Sequence, residues 1–340
     1  MKAAKVYGAK DLRIEEVPMP KIQRPDDVLV KTKLAGICGS DVHIYHGQNP
    51  FAVLPRVIGH EVVGTVEAVG PEVKSVAVGD HVVIEPIRYC GKCYACRKDM
   101  PNVCQQLVVF GVHEDGGMRE YFTVPEKQAL KIKKTLPWEE AILIEPFTIG
   151  ANATLRADIG IGDNVVIIGA GPIGISVGKL AKIKGAAVMM TDIIDEKLAF
   201  AKDQGAADIV VNTSKVDLEK AVQDWTEGEG ANKVIDAACV SPKIMEQAIK
   251  IASVAGTIAN LSFSDKPFAC PSLDITKKQL TIVGSRLQSH QFANVIRLME
   301  NGVLKGGDLI TNRFKFTDLQ KAFDFIETNG AQVRKAILEF

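Results

Sequence analysis

The sequence predicts a doubly wound, parallel α/β sheet of about six strands joined to a small N-terminal β domain. Three observations carry this expectation. The hydrophobic period changes near residue 164, a glycine-rich turn follows the first strand after the change, and potential metal ligands crowd the part before it.

Before the change, short runs of Val, Ile and Thr are punctuated by Gly and Pro. Val28-Leu-Val-Lys-Thr-Lys-Leu34, Glu61-Val-Val-Gly64 with the residues to 70, and His81-Val-Val-Ile84 are examples. β-Branched side chains suit a pleated, half-buried surface, and close turn residues keep each strand short. Residues 1–150 therefore read as a β domain with irregular loops.

After the change, strands alternate with helices. Val165-Val-Ile-Ile168 is apolar on both faces, as a strand inside a parallel sheet must be. A helix is expected over 172–184, with Pro172 in its first turn and Gly185 past its end. Strands over 187–191, 208–211, 233–236, 257–260 and 280–284 then alternate with helices over 195–204, 217–225 and 243–253. The tail reads as helix 291–301, strand 310–314, helix 317–329 and strand 335–340. Pattern alone leaves open whether that tail extends the sheet or returns to the first domain.

A chain of 340 residues is long enough for two cores. It is 46% hydrophobic and 24% charged, as soluble globular domains are. Lys+Arg and Asp+Glu both number 41, so charge gives no reason to expect nucleic acid or a membrane surface as partner. The start, Met1-Lys-Ala-Ala-Lys-Val-Tyr7, lacks the apolar run of a secretory signal. No stretch approaches the ~20 apolar residues of a membrane span. The expectation is a cytoplasmic protein acting on a small molecule.

The turn after the first strand of the second regime is Gly169-Ala-Gly171-Pro172-Ile173-Gly174, and it opens a helix. The first glycine makes a tight turn, the second lets the backbone approach a pyrophosphate, and the third lets helix pack on strand. The free N–H groups of the helix then face the phosphates. Asp192 ends the next strand, where a carboxylate binds a ribose 2′-OH and repels a 2′-phosphate. NAD is thus expected in preference to NADP.

Of the seven cysteines, Cys38, Cys239 and Cys270 are scattered, while Cys90, Cys93, Cys96 and Cys104 lie within fifteen residues. Such crowding makes a poor disulfide framework and a good metal site. Four thiolates close a tetrahedron around Zn²⁺ and leave no open position, so this site is expected to be structural. An iron–sulfur cluster is the lesser alternative. A second candidate set is dispersed: Cys38 in a glycine-rich polar run, His60-Glu61 after Gly59, and Glu145 embedded in Leu143-Ile-Glu145-Pro-Phe147. A catalytic zinc takes about three protein ligands and keeps one position open.

Two segments, Gly36-Ile-Cys38-Gly-Ser40-Asp41 and Gly59-His60-Glu61-x2-Gly64-x5-Gly70-x2-Val73, resemble the zinc-containing medium-chain alcohol dehydrogenase family. The pair Glu145-Pro146 resembles its sorbitol dehydrogenase branch, although animal members of that branch lack the four-cysteine cluster. The run 34–51, with Pro55-Arg-Val-Ile-Gly-His-Glu61 and Phe110-Gly-Val-His-Glu-Asp-Gly-Gly117, is similar to the starvation-sensing and hexonate dehydrogenase subgroup. That subgroup includes L-gulonate and L-galactonate 5-dehydrogenases. The resemblance covers essentially the whole chain.

The resemblance implies that Cys38, His60 and Glu145 hold a catalytic zinc, and that Glu61 either holds the zinc's water or replaces it. It implies that Asp41 orients the ligating histidine, and that Ser40 and His43 relay a proton from substrate to solvent. Arg286 matches, more loosely, a pyrophosphate or substrate-loop residue. Two zinc ions per subunit, one catalytic and one structural, are implied, with NAD as the hydride acceptor. Residues 1–150 and 286–340 are implied to form a GroES-like catalytic domain, and 151–285 a Rossmann domain, with the active site in the cleft between them. Dimers or tetramers of identical subunits are common in the family.

The substrate is expected to be a sugar acid, oxidised at a secondary carbon to a keto-acid. Its carboxylate calls for an arginine, and Arg56, Arg88 and Arg119 are the candidates, each otherwise an ordinary surface residue. A polyol is the alternative, and a non-catalytic NAD-binding regulator a more remote one. His46 is read as structural, and His113 is a weak candidate.

Overall fold

The computed structural model describes residues 1–238, 241, 243–263, 266–267 and 269–340, so Cys239 lies outside the described residues. The chain divides into two compact units. One comprises Met1–Glu145 and Phe292–Phe340, the other Pro146–Gln291.

The first unit is built on the strand Asp27–Ile37, buried along most of its eleven residues. It pairs antiparallel with Glu61–Val69, Tyr121–Pro125 and Lys335–Glu339. His81–Ile84 and Ala129–Ile132 extend the sheet beyond Glu61–Val69, and Ile310–Lys315 pairs parallel with Lys335–Glu339, giving seven strands. The tail thus enters the sheet of the first unit. Register matters most at one end of this sheet. Gly36 lies opposite Glu61 and Ile37 opposite Ala336. Counting one residue further in each antiparallel pair brings Cys38, His60 and Lys335 to the same end.

The second unit carries a six-stranded, all-parallel sheet, as the alternating pattern predicts. Its order is Ile209–Asn212, Ala187–Asp192, Asn164–Ile168, Ala231–Asp236, Ala252–Asn260, Thr281–Gly284. Val165 to Ile167 are fully buried. On one face Val166, Met189 and Val234 pack against Val222, Ala248 and Ile249 of the covering helices. Each such aliphatic side chain removed from water contributes roughly 1.5–3 kcal/mol.

Two elements differ from expectation. The helix expected over 243–253 ends at Ile251, and the following strand starts early, at Ala252. The cause lies elsewhere in the chain: Lys278 Nζ donates to the carbonyls of Ile249, Lys250 and Ala252 at 3.0, 2.7 and 2.9 Å, satisfying the acceptors a helix end leaves open. Lys278 comes from the helix Ser272–Lys278, which the sequence pattern did not reveal because it buries no residue fully. Among the described residues no helix is long and apolar enough to cross a membrane.

Candidate metal centres and nucleotide-binding turn

Cys38 follows the hub strand and is the N-cap of the helix Gly39–Tyr45. Asp41, third in that helix and fully buried, reaches back: its Oδ2 accepts the Cys38 N–H at 2.9 Å. Its Oδ1 accepts the Gly59 N–H at 3.2 Å and lies 3.7 Å from His60 Nδ1. One carboxylate therefore ties together the two segments that carry Cys38 and His60. Gly59 itself sits at φ +94, with Met118 packed where a Cβ would be, so only glycine fits this approach.

One donor atom from each of Cys38, His60 and Glu61 lies within 4.8 Å of the others. His60 and Glu61 are buried, and His60 Nδ1 has no hydrogen-bond partner among the described residues. Burial works against a proton on His60, but Asp41 and Cys38 more than offset it and raise its pKa well above the ordinary histidine value. Burial also raises Asp41 and pushes Glu145 up to about 7. Asp41, Glu61 and Glu145, all buried, lie close enough to act on one another electrostatically, a concentration of acids beside the half-buried Cys38 thiol. Thiolate, imidazole and carboxylate donors suit zinc. Glu145, in the first turn of the helix Ile144–Arg156, is not one of the three converging donors, although His60 and Glu61 act on it electrostatically.

Sequence reasoning missed Lys335. Its Nζ donates to both oxygens of Glu61, at 2.6 and 2.8 Å, with the pair 5% and 2% exposed. Burial works to strip its proton, and Glu61, with Cys38 and Glu145, more than reverses this, holding the ammonium above the ordinary lysine range. A lysine opening the apolar run 335–338 was the only signal available in the sequence.

Ser40 and His43 lie three residues apart on the helix Gly39–Tyr45 and so share a face. His46 pairs with Glu327 at 2.6 Å and tethers this helix to Leu319–Asn329, a structural role. His113 Nδ1 accepts the Val109 N–H at 3.0 Å within its own loop. The three candidate arginines are engaged. Arg56 donates to Asp115 at 3.2 Å, Arg88 pairs with Glu114, and Arg119 donates to the Asp115 carbonyl at 3.1 Å with its guanidinium near the Phe122 ring.

The four-cysteine lobe passes a geometric test. A tetrahedron with Zn–S near ~2.3 Å has S–S edges of about 3.8 Å. The Sγ atoms stand 4.0 Å apart for Cys90 and Cys96, 3.5 Å for Cys93 and Cys96, 3.8 Å for Cys93 and Cys104, and 3.5 Å for Cys104 and Cys90. Backbone N–H groups of Cys90 and Gln106 donate to Cys104 Sγ, and that of Cys93 to Cys90 Sγ, as metal-bound thiolates require. N–H groups of Cys96 and Gln105 draw the Cys93 thiol down to about 6, while burial and the neighbouring thiols push Cys96 up to about 12. Cys96→Ala is expected to remove one zinc per chain and expose residues 89–106 to protease. Metal analysis and limited proteolysis check both effects, and unchanged zinc content would remove the four-thiolate assignment.

In the second unit the glycine turn follows Asn164–Ile168 and opens the helix Pro172–Ile183. Gly169 has φ +109, and its carbonyl fills the place of a Cβ on Gly174. Gly171 is the N-cap, with Pro172 and then Ile173 in the first turn. Asp192 Oδ2 accepts the Ala170 N–H at 2.9 Å, and Oδ1 accepts those of Ile193 and Ile194 at 2.8 and 3.1 Å. Its carboxylate is thus fastened to the turn. Arg286 follows Thr281–Gly284 at the same carboxyl edge of the sheet, its guanidinium 5.8 Å from the Phe263 ring centroid. The strand order reverses between Asn164–Ile168 and Ala231–Asp236, the crevice where open parallel sheets bind ligands.

Residues 24–134 match the alcohol dehydrogenase GroES-like domain, and residues 172–301 the zinc-binding dehydrogenase domain. The chain is 42% identical to the starvation-sensing protein RspB of Escherichia coli K12, over 96% of this chain and 94% of that protein. It is 32% identical to the L-galactonate-5-dehydrogenase of Escherichia coli K12, again over 96% and 94%. It superposes on the crystal structure of the alcohol dehydrogenase RspB from E. coli CFT073 in complex with NADH. The TM-score is 0.93 at 40% identity, covering 100% of this chain and 99% of that one.

Proposed function

The chain belongs to the zinc-dependent alcohol dehydrogenase family, and from that premise we propose that it oxidises a secondary alcohol of a sugar acid, as an L-gulonate-type hexonate 5-dehydrogenase, with NAD. The observation that carries the chemistry is the convergence of Cys38, His60 and Glu61 around buried Asp41. The sugar-acid part rests on similarity, along nearly the whole chain, to the L-galactonate-5-dehydrogenase.

Cys38 and His60 would hold the catalytic zinc with Glu61, whose donor atom converges with theirs, or with Glu145, as the family resemblance implies, and the four-cysteine lobe would hold the structural one. Bound zinc supplies Lewis acidity toward a hydroxyl oxygen, and bound nicotinamide accepts the hydride. Asp41 keeps the His60 ring oriented with Nδ1 toward its carboxylate. Lys335 holds both oxygens of the Glu61 carboxylate beside the donors. Ser40 and His43 lead the substrate proton outward, from a half-buried residue to an exposed one. The N–H groups of the helix Pro172–Ile183 receive the pyrophosphate, and Asp192 receives the ribose hydroxyls. Replacing Asp192 by glycine is expected to cut the preference for NAD over NADP by about tenfold or more, as removal of a like-charge clash does. Parallel kcat/KM measurements with the two cofactors check this, and an unchanged ratio would move the discrimination elsewhere.

A polyol substrate is the second reading. It is favoured by the commitment of Arg56 to Asp115 and Arg88 to Glu114, which leaves both guanidiniums balanced without a substrate carboxylate. The deciding experiment is NADH formation by the zinc-loaded protein on L-gulonate, L-galactonate, D-mannonate, D-gluconate, sorbitol, galactitol and xylitol. Turnover of a hexonate with little on the hexitols supports the sugar-acid reading. Turnover of hexitols alone replaces it with the polyol reading, and silence on the whole panel, with NAD bound and both zincs present, points to a substrate outside the panel or to the regulator.

A further inference from the structure

We infer that Gln48 is a positioning residue that fixes the tautomer of His43, and with it the nitrogen at which that ring takes up a proton. The inference rests on the proposed relay through Ser40 and His43 and deepens it.

The helix Gly39–Tyr45 ends in a turn that folds Gln48 back onto His43. His46 is its C-cap, and Gly47 follows at φ +69, a left-handed conformation that suits glycine. The Gly47 N–H donates to the Ile44 carbonyl at 2.9 Å, and the Gln48 N–H donates to the His43 carbonyl at 2.8 Å. These are the two bonds of a Schellman motif, which folds the second residue past the cap back onto the third residue before it. In that motif the two side chains usually meet through an apolar contact. Here they are Gln48 and His43, and the contact is polar: Gln48 Oε1 lies 3.2 Å from His43 Nδ1.

An amide oxygen is only an acceptor, so with the Gln48 amide turned as it is here the nitrogen facing its oxygen carries hydrogen. Neutral His43 is then the Nδ1–H form, with its lone pair on Nε2. A proton taken up by that ring then binds at Nε2 and makes the imidazolium. The exposed ring returns one proton to bulk water, and Gln48 selects the Nδ1–H form again. With the other tautomer Nε2 already carries hydrogen, and the ring takes up nothing at that position. The backbone of the Schellman turn does not depend on the Gln48 side chain, so the tautomer can be altered without altering the helix end.

The test uses the zinc-loaded, NAD-bound full chain labelled with ¹⁵N-histidine, at a pH where the ring is neutral. His43→Gln assigns the His43 signals by their disappearance. The expected result is Nδ1–H in the unsubstituted protein and loss of that preference in Gln48→Leu. Turnover in Gln48→Leu should fall about tenfold, part of the ~10²–10⁴-fold that a positioned acid–base group supplies, with KM for NAD unchanged. Gln48→Glu, still an acceptor, should keep the Nδ1–H form, recover most of the turnover and move the pH profile upward. An Nε2–H ring in the unsubstituted protein overturns the inference, as does a Gln48→Leu protein with unaltered tautomer and turnover. The relay fails separately: if His43→Gln turns over at the full rate, the relay reading falls, and the tautomer claim is then decided by the spectra alone.

Discussion

Replacing Cys38 by alanine is expected to remove one of two zinc ions per chain and to cut turnover by at least about 10³-fold, the scale of the several kcal/mol of charge stabilisation a catalytic metal contributes. The expectation follows from the site's construction. Cys38, His60 and Glu61 are brought together by sheet register, and the Asp41 carboxylate holds the segments that carry them. Removing one thiolate leaves the remaining donors in place but too few to retain the metal. The four-cysteine lobe shares no residue with this site, so its zinc should remain and serve as an internal standard. Full turnover with full zinc content in Cys38→Ala would end the mechanism.

Substituting Lys335 by methionine is expected to destabilise the protein by about 3–5 kcal/mol, the usual consequence of removing one partner from a buried ion pair. The ammonium bonds both Glu61 oxygens, and neither residue is more than 5% exposed at the side chain. Methionine matches the length of the lysine stem but leaves a buried carboxylate without its cation. The penalty belongs to the uncompensated charge more than to lost packing. Lys335→Met combined with Glu61→Gln should therefore recover more than half of the loss. Guanidinium unfolding midpoints of the single and double variants measure this. A single variant as stable as the unsubstituted protein would show that the pair does not hold this end of the sheet together.

What the sequence made legible was mostly local. The six parallel strands followed from alternation within the 164–284 stretch, because each strand's apolar run and each helix's periodic face is written in consecutive residues. The four-cysteine lobe was legible for the same reason: all its donors fall between Cys90 and Cys104. The glycine turn and Asp192 showed their positions, but the three amides that fasten the Asp192 carboxylate became visible only with the fold. Lys335 was hidden because its partner, Glu61, is 274 residues away, and only the pairing of Lys335–Glu339 with Asp27–Ile37 brings them together. Arg56 and Arg88 were visible as cations, while their engagement by Asp115 and Glu114 was not, since spacing alone does not reveal which acid a loop will present. The helix Ser272–Lys278 lacked a buried stripe and so lacked a signal, yet its last residue decides where the preceding helix ends.

The central claim is that turnover depends on a metal at the Cys38, His60 and Glu61 end of the sheet, distinct from the metal of the four-cysteine lobe. Zinc titration of the chelator-treated protein, following NADH formation and bound zinc together on the best substrate of the panel, tests this most directly. The account predicts no turnover while one zinc per chain occupies the four-cysteine lobe, and turnover rising in proportion as a second is bound. Full turnover at one zinc per chain, with that zinc held by Cys90, Cys93, Cys96 and Cys104, would contradict it.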